Sequence, residues 1–219
     1  MDGEGIGIDL TLANGKGYSI DNLDLDVLMN MKNIHRGNKF AGVPPHDNFN
    51  LLDHSLCCFL IGNLYFEYLE ENGENEIVDL FADSLVDKWG KGIRQLIKSY
   101  FTGECFTHDF QEVVTGDLVP SFKTDEYREK EDIVKEDIDN FLEIYKRKDT
   151  QGIMKKHIKI VDVGAALYEI KKLEEKGYKS VSRMREETIK RMEKKGIEYD
   201  EIKDFYGRIK VLPDDYEIE

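Results

Sequence analysis

The sequence predicts an all-α fold with small β additions. Apolar residues recur at three- and four-residue spacing through several long segments between residues 54 and 176, the pattern of helices buried along one face. Alternation of apolar and polar residues is confined to a short stretch near the N-terminus, and no internal repeat or low-complexity linker interrupts the chain, so one helical domain is the simplest architecture. At 219 residues and 25.4 kDa it can bury a core without disulfides.

Residues 5–20 alternate on both sides of Ala13-Asn14-Gly15-Lys16-Gly17 and predict a hairpin with a glycine-bearing loop. Asp21 caps a helix over about 22–32, and Gly37, Gly42 and the Pro44-Pro45 pair make 33–50 a loop. His54 opens a strongly apolar helix that ends near Asn72-Gly73. From Glu74 to about Phe110 positions such as Ile77, Leu85, Trp89, Ile93, Ile97 and Tyr100 predict core-facing helices, with a break at Gly90 and Gly92. Further helices begin after Lys123 and run from about Gly152 to Lys176, the second capped by Gly177-Tyr178. The tail, 180–219, predicts a helix through Lys195 and a short strand over 207–212, both peripheral. The charged stripe from Lys171 to Lys195 reads as a solvated face in which Met184 and Met192 mark a subunit contact.

Net charge of −14 and a pI near 4.9 argue against a nucleic-acid polymer as partner, because phosphate backbones are held by lysine and arginine. No apolar run approaches the ~20 residues of a membrane span, and the N-terminus lacks a basic-then-apolar leader, so the expected location is cytoplasmic. Cys57, Cys58 and Cys105 are odd in number and lie in apolar surroundings, as buried thiols in a reducing compartment would.

The run from His108 to Lys123 reads as an active site: a histidine, the carboxylates Asp109, Glu112 and Asp117, and the cation Lys123 fall within sixteen residues. A helix carrying His108, Asp109 and Glu112 would aim all three at one cleft, and Thr115-Gly116-Asp117 would end it, with Pro120 preventing its resumption. By contrast His46-Asp47, in a proline-rich loop with no following glutamate, reads as surface, and His35 and His157 are not read as ligands.

HDFQEVVTGDLVPSFK resembles the HD-E-TGD-P-K signature of the HD-domain phosphohydrolases, most closely their bacterial 5′-deoxynucleotidase branch. Asp53-His54-Ser55-Leu56 matches that family's earlier histidine helix, and IVDVGAALYEIKKLEEKG matches its late aspartate helix at Asp162. The resemblance covers about residues 33–178. It implies an HD helical bundle over 31–178, with 1–30 as an N-terminal extension and 179–219 as a C-terminal one. It also implies a divalent transition metal (Co, Mn, Zn, Fe or Ni) on His54, His108, Asp109 and Asp162.

In that family Glu112 orients or deprotonates the hydrolytic water activated by the metal, and Asp117 holds the sugar or assists with protons. The resemblance also implies that Arg36 would grip the phosphate, with Lys123 as a weaker candidate for that task, and that Gly37, Leu118, Val119 and Pro120 would complete the substrate pocket. The expected reaction is removal of the 5′-phosphate from deoxynucleoside monophosphates by a homo-oligomer. Gly37 stands where the branch carries a tryptophan that packs on the sugar, which leaves sugar selection to another aromatic such as Phe40 or Phe49, or open. Deoxynucleoside triphosphate hydrolysis, with Lys39, Lys88 and Lys91 as available cations, is the nearest alternative. A catalytically silent nucleotide-binding protein is the next.

Overall fold

Helix α1, Leu51–Glu71, shows how the sequence makes its core: Leu51, His54, Ser55, Cys58, Ile61, Tyr65, Phe66 and Leu69 recur every three or four residues and all are buried. Two polar side chains, His54 and Ser55, therefore lie on the apolar stripe. In the computed structural model of the protein the described residues are 10–11, 17–18, 28–36, 40, 42–73, 76–79, 91–118, 122–141 and 151–212. They are predominantly helical, and none of their helices is long and apolar enough to cross a membrane. After α1 come helical residues 76–79, then α2 (Lys91–Thr107), α3 (Glu112–Thr115), α4 (Asp125–Phe141), α5 (Gln151–Glu175), α6 (Ser182–Glu193) and α7 (Tyr199–Arg208).

The chain divides into two units, each discontinuous in sequence. The first comprises Met1–Phe40, Pro44–Leu52 and Asp109–Tyr145. Its strands β1 (Leu10–Thr11) and β2 (Gly17–Tyr18) pair antiparallel with Leu10 opposite Tyr18; the rest of the expected hairpin lies outside the described residues. Of the helix expected over 22–32, residues 28–29 are helical and Asn30–Asn33 form a 3-10 turn, while 22–27 are not among the described residues. The 33–50 loop is tied by an isolated bridge between His35 and Asn50, and the Arg36 amide donates to the Phe49 carbonyl at 2.9 Å. The Leu51 amide donates to the Ile34 carbonyl at 2.8 Å, which anchors the start of α1 three residues before His54. At the end of α3, Gly116 takes φ +84°, a conformation other residues adopt at a cost. The Tyr127 hydroxyl on α4 reaches the carbonyls of Thr115 and Gly116, at 2.9 and 2.6 Å, and so satisfies acceptors left over by α3.

The second unit comprises Ala41–Val43, Asp53–His108 and Lys146–Glu219. Its core packs the aromatic side chains of Tyr65, Phe66, Phe101, Phe205 and Tyr206 among the aliphatic faces of α1, α2 and α5. Two glycines set how closely elements approach. A Cβ on Gly62 of α1 would stand 3.1 Å from Cys105 Sγ on α2, and one on Gly164 of α5 would stand 3.3 Å from the Tyr206 ring and 3.4 Å from Ile61. Helix α5 ends in a Schellman cap: Gly177 takes φ +96°, its amide reaches Glu174 O at 2.8 Å and that of Tyr178 reaches Leu173 O at 3.1 Å.

Three expectations are corrected here. The tail is not peripheral: Ile189 and Met192 on α6, and Ile202, Phe205 and Tyr206 on α7, are buried in the core, and the Tyr206 hydroxyl donates to the Ile160 carbonyl at 2.8 Å. Apolar residues at helical spacing, diluted by many charges, were enough to dock both helices, and Met192 is core rather than a subunit contact. Residues 207–212 make no strand; Gly207 and Arg208 finish α7 and Ile209–Lys210 turn, with Lys210 at φ +54°. Gly92 does not break a helix but sits in the first turn of α2, while Gly90 lies outside the described residues. The exposed charges of α5 and α6 do pair as expected, for example Lys172 with Glu175 and Lys190 with Glu186.

Candidate metal centre

A histidine on the buried stripe of α1 must find polar partners, since an unsatisfied polar group in a core costs roughly 1–3 kcal/mol. His54 finds two, both on α5. Its Nδ1 lies 2.7 Å from Glu169 Oε1, in a pair with no solvent exposure, and its Nε2 lies 3.2 Å from Asp162 Oδ1. Asp162 and Glu169 are seven residues apart, two helical turns, so they share a face of α5 and hold the imidazole between them.

His108 reaches the same carboxylate. Its Nδ1 donates to the Cys105 carbonyl at 2.8 Å, and its Nε2 lies 3.8 Å from Asp162 Oδ1. The two imidazole rings are 5.7 Å apart and tilted by 53°. Cys58, one turn after His54 on α1, places its Sγ 3.5 Å from His54 Nε2. The donor atoms of His54, Cys58, His108 and Asp162 all fall within 4.8 Å of one another.

The hydrogen bonds fix what these rings can offer. A carbonyl only accepts, so His108 carries its proton on Nδ1; Glu169 as a carboxylate imposes the same tautomer on His54. With both rings neutral each Nε2 lone pair faces Asp162 Oδ1, an arrangement that positive charge between them would stabilise. A divalent cation supplies it at one point, and imidazoles whose second nitrogen is engaged by a carboxylate or carbonyl are the usual form of histidine metal ligands. The group could therefore hold a metal ion. Burial pushes the Asp162 carboxyl up, but its neighbours, the Lys159 ammonium foremost, outweigh that and hold the group well below the usual carboxylate range.

The remaining sequence-predicted residues belong to the first unit, where two groups of ion pairs involve some of them. Asp109 Oδ2 is 3.8 Å from the guanidinium of Arg36, whose side chain is only 2% exposed. Glu112 is buried, with Lys123 Nζ 3.4 Å from its Oε1, and the same ammonium lies 2.6 Å from Glu131. Burial lowers the Lys123 ammonium, but the Glu131 hydrogen bond and the Glu112 and Glu131 charges leave it raised. Asp117 is buried and Leu118 half-buried, while Gly37, Val119 and Pro120 lie outside the described residues.

The helix expected to carry His108, Asp109 and Glu112 together is replaced by two helices and a turn. Helix α2 stops at Thr107, residues 108–111 turn, and α3 starts at Glu112. The reason is local: the His108 side chain occupies the Cys105 carbonyl, and the amides of Glu112, Val113 and Val114 bond three residues back rather than four. His157 pairs with Tyr65 and Glu76, and His46 is exposed in the 3-10 turn Pro45–Asp47.

Glu169 and Cys58 were missed by sequence reasoning. Both carried a signal: Glu169 is an acid seven residues after Asp162 in the apolar run VGAALYEI, and Cys58 follows His54 by one helical turn. No protein-family model, curated protein or solved structure matches this chain.

Proposed function

We propose that the chain is a divalent-metal-dependent phosphohydrolase that removes the 5′-phosphate from deoxynucleoside monophosphates. The observation that carries the metal part is the convergence of the Nε2 atoms of two imidazoles on Asp162 Oδ1. The phosphohydrolase part is supported by the ordered resemblance of His54, His108-Asp109, Glu112, Thr115-Gly116-Asp117 and Asp162 to the HD signature. When bound, the ion supplies Lewis acidity that polarises the phosphoryl group and lowers the pKa of a water.

The chain's own residues do the rest. By the resemblance, Glu112 would orient the water and take its proton, Arg36 and Lys123 would meet the charge on the phosphoryl oxygens, and Asp117 would hold the sugar. Asp109 enters the ligand set through the resemblance alone.

The test is phosphate release from dNMPs, dNTPs and matching ribonucleotides by metal-stripped protein resupplied with Co²⁺, Mn²⁺, Mg²⁺ or Zn²⁺. Nucleoside plus orthophosphate from dNMPs is the expected result; preferential attack on one dNTP would replace this reading by triphosphate hydrolysis, and silence across the panel would overturn it. Glu112→Ala should abolish turnover with metal content unchanged.

A further inference from the structure

We infer that Cys58 is a direct ligand of the metal, as a thiolate, which completes a His54–Cys58–His108–Asp162 set within the second unit. The inference deepens the metal reading and rests on it. A four-coordinate zinc-like ion with bonds of about 2.0–2.3 Å has ligand atoms separated by roughly 3.3–3.6 Å. The observed edges sit close to that figure: 3.5 Å from Cys58 Sγ to His54 Nε2, 3.2 Å from His54 Nε2 to Asp162 Oδ1, and 3.8 Å from His108 Nε2 to Asp162 Oδ1. All four donors lie within 4.8 Å of one another, so small side-chain adjustments bring them around one ion, which would take water or a phosphoryl oxygen by expanding to five-coordinate.

The position of Cys58 follows from the sequence. Spacing of four on α1 puts it directly over the turn that carries His54, on the same fully buried stripe. Cys57 points elsewhere around the helix and is half-buried, so the adjacent cysteines are not interchangeable. Asp109, the fourth ligand implied by the resemblance, belongs to the other unit and faces Arg36 there.

On binding, the Cys58 S–H bond breaks, a sulfur–metal bond forms and the proton leaves to solvent. A thiolate with two imidazoles and one carboxylate is a softer set than the sequence implied. It favours Zn²⁺, Co²⁺ or Fe²⁺ over Mn²⁺ and Mg²⁺.

The experiment is a Co²⁺ titration of the metal-stripped full chain in reducing, oxygen-free buffer, followed by absorption. Visible d–d bands together with a near-ultraviolet sulfur-to-cobalt charge-transfer band are expected from the unaltered protein. Cys58→Ser should lose the charge-transfer band and keep the d–d bands, whereas Cys57→Ser should keep both. Cobalt binding without the charge-transfer band, or a band that survives in Cys58→Ser, overturns Cys58 as ligand. No cobalt uptake at all overturns the metal centre with it. Both bands present, with no phosphate released from any nucleotide, would uphold this ligand set and overturn the hydrolase reading alone.

Discussion

Two clusters of charged and polar side chains differ in how complete they are. In the first unit, Arg36 faces Asp109 and Lys123 faces both Glu112 and Glu131, so each of these acids has a cation beside it. In the second, two imidazole nitrogens, a thiol and a carboxylate converge, and Lys159 is the nearby cation, bound to the oxygen of Asp162 that the imidazoles do not face. In the first cluster two cations are shared among three carboxylates, whereas the second gathers electron pairs in a group that could hold a metal ion. Residues adjacent in sequence, His108 and Asp109, fall on opposite sides of this distinction.

The largest effect that would break the contrast is on metal-dependent stability. A bound ion at a thousand times its Kd adds about 4 kcal/mol, roughly a 10 °C rise in Tm for a chain of this length. His54→Ala should abolish that increment in a thermal melt with and without Zn²⁺; an undiminished increment would move the ion elsewhere. Next, Arg36→Met should destabilise the fold by about 3 kcal/mol, because it strips a buried cation from Asp109, yet leave the metal increment intact. Denaturant unfolding of both forms checks it, and a loss of metal binding would merge the two clusters.

A finer test is Glu169→Gln, which keeps an acceptor oxygen for His54 but removes the charge behind it. Metal affinity, read by competition with a chelator, should fall about 10–100-fold. The smallest expected effect is Gly62→Ala. Alanine favours the helix, but its Cβ meets Cys105 Sγ at 3.1 Å, so a net loss of about 1 kcal/mol is expected, with weaker metal binding and unchanged first-unit ion pairs.

Much of the helical framework was legible because the periodicity of residues such as Ile61, Tyr65, Phe66 and Leu69 reflects burial directly. Three members of the group that could hold a metal ion, His54, His108 and Asp162, were also singled out, through the resemblance and their order along the chain. Three features were not. The turn at 108–111 depends on a side chain competing for a backbone carbonyl, which periodicity does not register. The burial of α6 and α7 was masked by their charge, since a narrow apolar stripe suffices to dock a helix whose other faces are wetted. Cys58 and Glu169 needed the α1 and α5 registers to be known together, which one sequence read segment by segment does not provide.

Gly62 and Gly164 bear on how such a centre is to be recognised in other chains. Neither belongs to the donor group, yet the missing side chains let α1 approach Cys105 on α2, and let α5 approach Ile61 on α1 and Tyr206. A sequence that keeps the histidines and the aspartate but carries bulky residues at these two places would spell the motif while holding its donors apart. The signature of this centre is therefore as much two absences of side chain as four donor atoms.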